Sequence, residues 1–134
     1  MSKEFKNKNE WAIILGGSSG LGLATAKKLA KHGLHICIIH RNSRAQLPEI
    51  EAQFNEIKKQ NIDFLSFNID AINAEKRKQT IAAISEKFRD KHKIKVVVHS
   101  IAKGNLKPMV SDENQNLKND DFQLTINAMA ISLY

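Results

Sequence analysis

Leu15-Gly16-Gly17-Ser18-Ser19-Gly20-Leu21-Gly22 joins two segments of different periodicity. Before it, Trp11-Ala12-Ile13-Ile14-Leu15 is an unbroken apolar run, as expected of a strand covered on both faces. After it, Leu23-Ala24-Thr25-Ala26-Lys27-Lys28-Leu29-Ala30 has the composition of a helix. A strand, a glycine-rich turn and a helix in that order form an anion site. Glycines allow a tight turn and let a pyrophosphate approach the backbone amides. The first turn of the helix offers unpaired N–H groups and the positive end of its dipole. The spacing of Gly16, Gly20 and Gly22 is G-x-x-x-G-x-G, which differs from the G-x-G-x-x-G fingerprint of many dinucleotide sites. Gly16, Ser18, Ser19, Gly20, Leu21 and Gly22 are therefore the expected phosphate-binding residues.

Strand and helix patterns alternate outward from this turn, the mark of a parallel sheet covered by helices. Lys31-His32-Gly33 ends the first helix, and Leu34 to Ile39 forms a second apolar strand. Leu47, Ile50, Phe54 and Ile57 recur on one face of a helix from about Ala45 to Gln60, with Pro48 in its first turn. Ile62 to Phe67 is a third strand. Asn73 caps a third helix whose apolar face carries Ile81, Ile84 and Phe88, and Ile94 to His99 is a fourth strand. A polar connection of unusual length follows, from Ser100 to Asn119, before a last helix capped by Asp120 or Asp121 with Phe122, Leu124, Ile126 and Met129 along it. Right-handed crossovers order the strands 3-2-1-4 and place a ligand crevice where the order reverses, between strands 1 and 4.

The chain of 134 residues fits one domain, with residues 1–10 as a flexible basic tail and 11–134 as the folded part. Its start is polar and lacks the apolar core of a signal peptide, and no apolar run approaches a membrane span. A single cysteine, Cys37, reads as a small core residue, which sets a reduced, cytoplasmic location as the expectation. The formal charge of +7 comes from 21 basic and 14 acidic residues. Its densest run, Lys87 to Lys95, is interrupted by acids and carries no aromatic ladder, so it is a solvated helix end and no nucleic-acid surface. The histidines lack metal-ligand spacing.

At the tip of strand 2 an acidic residue would accept hydrogen bonds from the ribose 2′-hydroxyl of NAD. His40-Arg41-Asn42-Ser43-Arg44 offers none before Glu49, whereas Arg41 or Arg44 can bond a 2′-phosphate. NADP(H) is accordingly the expected cofactor, ahead of NAD(H).

From Trp11 to Tyr134 the chain resembles the first half of a short-chain dehydrogenase/reductase. The T-G-x-x-x-G-x-G motif of that family lies on Leu15 to Gly22, with Leu15 in place of its threonine. Its cofactor-selecting arginine falls on Arg41, and its adenine-contacting Asp-Val on Asn68-Ile69, which loses the charge. His99-Ser100-Ile101-Ala102 replaces the family's Asn-Asn-Ala-Gly and is similar to the segment found in enoyl-acyl-carrier-protein reductases. Ser100, Ile101 and Ala102 thus become implied cofactor contacts. The asparagine of the catalytic tetrad falls on Asn127, which by resemblance holds a water in the proton relay or positions the active-site helix. His99 is expected to be structural.

The resemblance implies a Rossmann-type α/β fold with helices on both faces, truncated after the helix that follows strand 4, since family chains are about twice this length. The family's Tyr/Lys pair has no counterpart, because the only tyrosine is Tyr134. Activity as an NADP(H)-dependent oxidoreductase on enoyl or oxoacyl thioesters is therefore expected of the intact enzyme, with an acyl carrier protein as a partner suited to the basic surface. A non-catalytic dinucleotide-binding module is the alternative. An uncovered fourth strand and last helix lead to the expectation of a homo-oligomer.

Overall fold

The computed structural model describes residues 4–6, 8–113 and 115–134. It divides into two compact units, Met1–Ser100 and Ile101–Tyr134.

The first unit is built on four parallel strands, β1 (Glu10–Leu15), β2 (His35–His40), β3 (Phe64–Asn68) and β4 (Lys93–His99), in the order β3-β2-β1-β4. Connecting them are α1 (Gly20–Lys31), α2 (Leu47–Lys58) and α3 (Ala74–Phe88). The order follows from crossover handedness. Two right-handed steps in one direction put α1 and α2 on one face, and the reversal to β4 puts α3 on the other. Side chains alternate accordingly. Ala12, Ile14, Ile36 and Ile38 point into a core with Ala26 and Ala30 of α1 and Ile50, Phe54 and Ile57 of α2. From the opposite face of β1, Trp11 packs against Phe88 of α3 at 4.5 Å between ring centroids. Ile14, Ile36, Ile38 and Ile57 are fully buried, each worth about 1.5–3 kcal/mol of transfer free energy. In register, Ile14 lies between Ile38 of β2 and Val98 of β4.

Several boundaries differ from the sequence expectation, each for a local reason. Helix α1 begins at Gly20 rather than near Leu23, so Gly20 and Gly22 lie inside its first turn. A separate 3-10 turn, Arg44–Gln46, precedes α2, closed by the Gln46 carboxamide accepting from the Ser43 amide at 3.0 Å. Strand β3 starts at Phe64, because Asn61 takes a left-handed φ of 57° that delays the strand. On α3 the buried face is Thr80, Ile84 and Phe88, while Ile81 is 60% exposed. Thr80 fits that face because its hydroxyl donates to the Lys76 carbonyl at 2.8 Å. Asn73 does cap α3, accepting from the Lys76 amide at 3.0 Å.

Of the expected tail, residues 1–3 and 7 lie outside the described residues. Phe5 packs against the α1–α2 core, its amide donating to the His32 carbonyl at 2.9 Å, and Glu10 is already part of β1.

In the second unit, α4 (Asn119–Met129) is followed by a 3-10 turn, Ile131–Leu133. Neither Asp120 nor Asp121 is its cap residue. Lys118 holds that position, and Asp121 stands three residues inside, its carboxylate accepting from the Lys118 amide at 2.9 Å. Asn105 and Lys107 also donate to Asp121, at 2.5 and 3.0 Å, tying the preceding loop to the helix start. These bonds, the Lys118 amide first, hold the Asp121 carboxyl down at about 2. Phe122, Ile126 and Met129 are about half exposed along α4. No helix among the described residues is long and apolar enough to cross a membrane.

Candidate functional site

The carboxyl ends of the four strands form a rim, and the residue that leaves β1, β3 or β4 is hung on a neighbouring strand. Gly16 N–H donates to the Ile39 carbonyl, Ile69 N–H to the His40 carbonyl and Ser100 N–H to the Leu15 carbonyl, each at 2.8 Å. Gly16, Ile69 and Ser100 are thus brought to one edge of the sheet.

Above β1 the chain turns through Gly16, at a φ of 82°, and enters α1 through Gly20, at a φ of 53°; both angles favour glycine. Gly22 is needed for a different reason. A β-carbon there would collide with the Gly16 carbonyl oxygen and stand 2.9 Å from the Gly16 carbonyl carbon. The helix start therefore presses onto the turn. Ser19 is the cap residue, in extended conformation, and its hydroxyl makes no capping bond. The first turn carries no acid. Leu23 N–H to the Ser19 carbonyl, at 3.1 Å, is the first bond of the helix, so the amides of Gly20, Leu21 and Gly22 have no intrahelical acceptor. Around Gly20 there is open space, and the Leu21 side chain stands exposed. This is a glycine-lined cradle at a positive helix end, and its residues fit a pyrophosphate.

At the β2 tip, Arg41 is exposed and its Nη1 lies 3.1 Å from Asp70 Oδ2. The acid absent from the end of β2 is thus supplied from beyond β3, a neighbour that linear spacing does not reveal. Asn68 is already engaged. Its amide nitrogen donates to the Asn42 carbonyl at 3.1 Å and its oxygen accepts from the Asn42 amide at 2.9 Å. Asn42 Oδ1 in turn lies 2.9 Å from Nδ1 of His40, whose buried ring packs edge-on to Phe54. Asn42, Asp70 and His40 were not singled out from the sequence. The usable signal was Asn42 next to Arg41 in a run of polar residues at a strand tip. His99 ends β4 and is half-buried.

Ile101, Ala102 and Asn127 belong to the second unit. Ile101 is partly buried, Ala102 is exposed, and Asn127 is an exposed residue of α4.

The family description "short chain dehydrogenase" matches residues 10–133. Hydroxysteroid dehydrogenase-like protein 1 of Gallus gallus is 29% identical over 96 residues, covering 72% of this chain and 27% of that protein. Human very-long-chain 3-oxoacyl-CoA reductase is 36% identical over 47 residues, 35% of this chain and 15% of that protein. A short chain dehydrogenase structure from Bacillus anthracis superposes with a TM-score of 0.70 at 26% identity, over 94% of this chain and 47% of that one. The chain therefore spans about a quarter of the first relative and under half of that structure. It belongs to the short-chain dehydrogenase/reductase family, oxidoreductases that bind nicotinamide dinucleotides.

Proposed function

We propose that this chain is the cofactor-holding part of an NADP(H)-dependent reductase of enoyl or oxoacyl thioesters. The observation that carries it is the uncapped, acid-free start of α1, pressed by Gly22 onto the Gly16 turn, with an arginine at the tip of the next strand. The amides of Gly20, Leu21 and Gly22, with the Ser18 and Ser19 hydroxyls, would hold the pyrophosphate. Arg41 would hold the 2′-phosphate, and Asn68 and Ile69 would border the adenine. By resemblance, Ser100, Ile101 and Ala102 would be further cofactor contacts, and Asn127 would hold a water in the proton relay or help to position the active-site helix. When bound, the nicotinamide supplies a hydride.

The acyl thioester is supported by the His99-Ser100-Ile101-Ala102 segment and by the likeness to 3-oxoacyl-CoA reductases. An acyl carrier protein suits the +7 charge.

Calorimetric titration with NADPH and NADH, on this chain and on Arg41→Ala, tests the cofactor assignment. NADPH should bind more tightly, and the arginine variant should lose that advantage. Tighter NADH binding, or an unchanged NADPH affinity in the variant, would refute it. NADPH oxidation by the natural gene product with crotonyl and acetoacetyl thioesters tests the substrate: silence with both removes the acyl assignment.

A further inference from the structure

We propose that Asp70 sets how strongly this rim prefers a 2′-phosphate over a bare 2′-hydroxyl, acting as a built-in counter-ion that the phosphate must share. The inference rests on the role of Arg41 proposed above and deepens it.

The backbone around Arg41 is fixed on both sides by β3. Ile69 N–H donates to the His40 carbonyl at 2.8 Å, and the Asn68 side chain bonds both the amide and the carbonyl of Asn42. Asn68 thereby acts as one more rung of the β2–β3 ladder, and the Arg41 stem leaves from a fixed point. Its head then meets Asp70 Oδ2 at 3.1 Å through one nitrogen. Asp70 does not depend on that bond for its place, because its other oxygen accepts from the Ile72 amide at 3.0 Å within its own turn. The acid is anchored, and the arginine side chain, 65% exposed, keeps further N–H donors for a second acceptor.

A ligand that carries only a ribose hydroxyl meets this pair as a near-neutral surface. A ligand with a 2′-phosphate brings charge of the same sign as Asp70 against the guanidinium they would share. The carboxylate therefore opposes the phosphate selectively, by the modest amount that a partly exposed charge pair allows. It tempers a preference that Arg41 alone would make steeper.

Asp70→Asn isolates this effect, since the carboxamide oxygen still accepts from Ile72 N–H while the charge is removed. NADPH and NADH are titrated against the wild-type chain, Asp70→Asn and Arg41→Ala at low and high salt, with thermal melts to confirm that each variant is folded. Asp70→Asn should bind NADPH about three- to fivefold more tightly at low salt, with NADH unchanged within about twofold and the gain shrinking at high salt. If Arg41→Ala loses NADPH selectively but Asp70→Asn changes nothing, Asp70 is an inert surface partner and the inference fails while the cofactor assignment stands. Weaker NADPH binding by Asp70→Asn would make the acid a brace for Arg41 and overturn it equally. NADPH affinity unaltered in Arg41→Ala would remove the cofactor assignment itself.

Discussion

Gly22 can hold no β-carbon, because the carbonyl group of Gly16 occupies that space, with Gly17 Cα a further 3.2 Å neighbour. Backbone on both sides of the contact makes relief by rotamer change impossible. Gly22→Ala is expected to cost about 1–3 kcal/mol and to weaken dinucleotide binding together with stability, since the helix start must lift from the turn. Gly20→Ala separates space from strain. Nothing lies within 4 Å of its β-carbon site, and the penalty of about 1 kcal/mol comes from the φ of 53° alone. Chemical denaturation of the two variants checks the order. Equal stability of Gly22→Ala and wild type would contradict the contact.

Ser19 heads α1 without a capping bond, so stability and binding are set against each other there. An acid at this position would cap the helix and meet the positive dipole end, adding about 0.5–1 kcal/mol. The same charge would face the ligand's pyrophosphate. Ser19→Asp should therefore melt at a higher temperature yet bind NADPH about tenfold more weakly. A variant that gains or loses both properties together would show that the helix start does not serve an anion.

The sheet order was legible because β1 and β2 are apolar runs that end up buried, because Ile94 to His99 carries the same strand-like apolar pattern although β4 itself stays largely exposed, and because crossover handedness leaves few topologies. The Gly16–Gly22 turn was legible for the same reason: backbone sterics write glycine directly into the sequence. What could not be read depends on side chains that meet from distant segments. Asp70 reaches Arg41 and Asn68 reaches Asn42 only because β3 pairs with β2. Thr80 displaces Ile81 from the buried face of α3 because a hydroxyl bonded to its own helix counts as satisfied, which hydrophobic periodicity does not register.

Cys37 is fully buried in the middle of β2, and that burial pushes its thiol up to about 12, opposed by the charge of Lys87. The thiolate is the reactive form, so native protein at neutral pH should resist aromatic disulfide reagents and release one equivalent on unfolding in urea. Rapid modification of the folded chain would mean that β2 opens far more often than a central strand should.

Trp11, the only tryptophan, donates through Nε1 to His92 Nδ1 at 3.1 Å, and its ring lies 5.1 Å from that of His35. His35 Nδ1 accepts from the Asp63 amide at 2.9 Å, which requires that nitrogen to be unprotonated. Burial lowers the His35 pKa, with Asp63 raising it and His92 lowering it. The unfolded chain therefore binds the proton more readily than the folded one. The stability that neutral His35 contributes is complete above about 6.5 and falls as pH drops below that value toward the lowered folded pKa. Urea midpoints followed by Trp11 fluorescence should decline across this window, and His35→Gln should flatten the decline. An unchanged slope in that variant would assign the loss to other groups.

Asp121 gathers the Lys118 amide, the Asn105 carboxamide and the Lys107 ammonium at the start of α4. Its carboxyl is held at about 2, below its ordinary value, chiefly by the Lys118 amide. Here the folded state releases the proton more readily. The stabilisation is complete above an ordinary aspartate value of about 4 and is lost as pH falls through the folded value near 2. Amide exchange at Lys118 and α4 helicity should therefore hold down to about pH 4 and give way toward pH 2. Asp121→Asn keeps an oxygen for the Lys118 amide but loses the charge that Lys107 meets. It should loosen this helix start already at neutral pH and abolish its acid transition. A transition that persists in the variant would assign the acid sensitivity of α4 to groups other than Asp121.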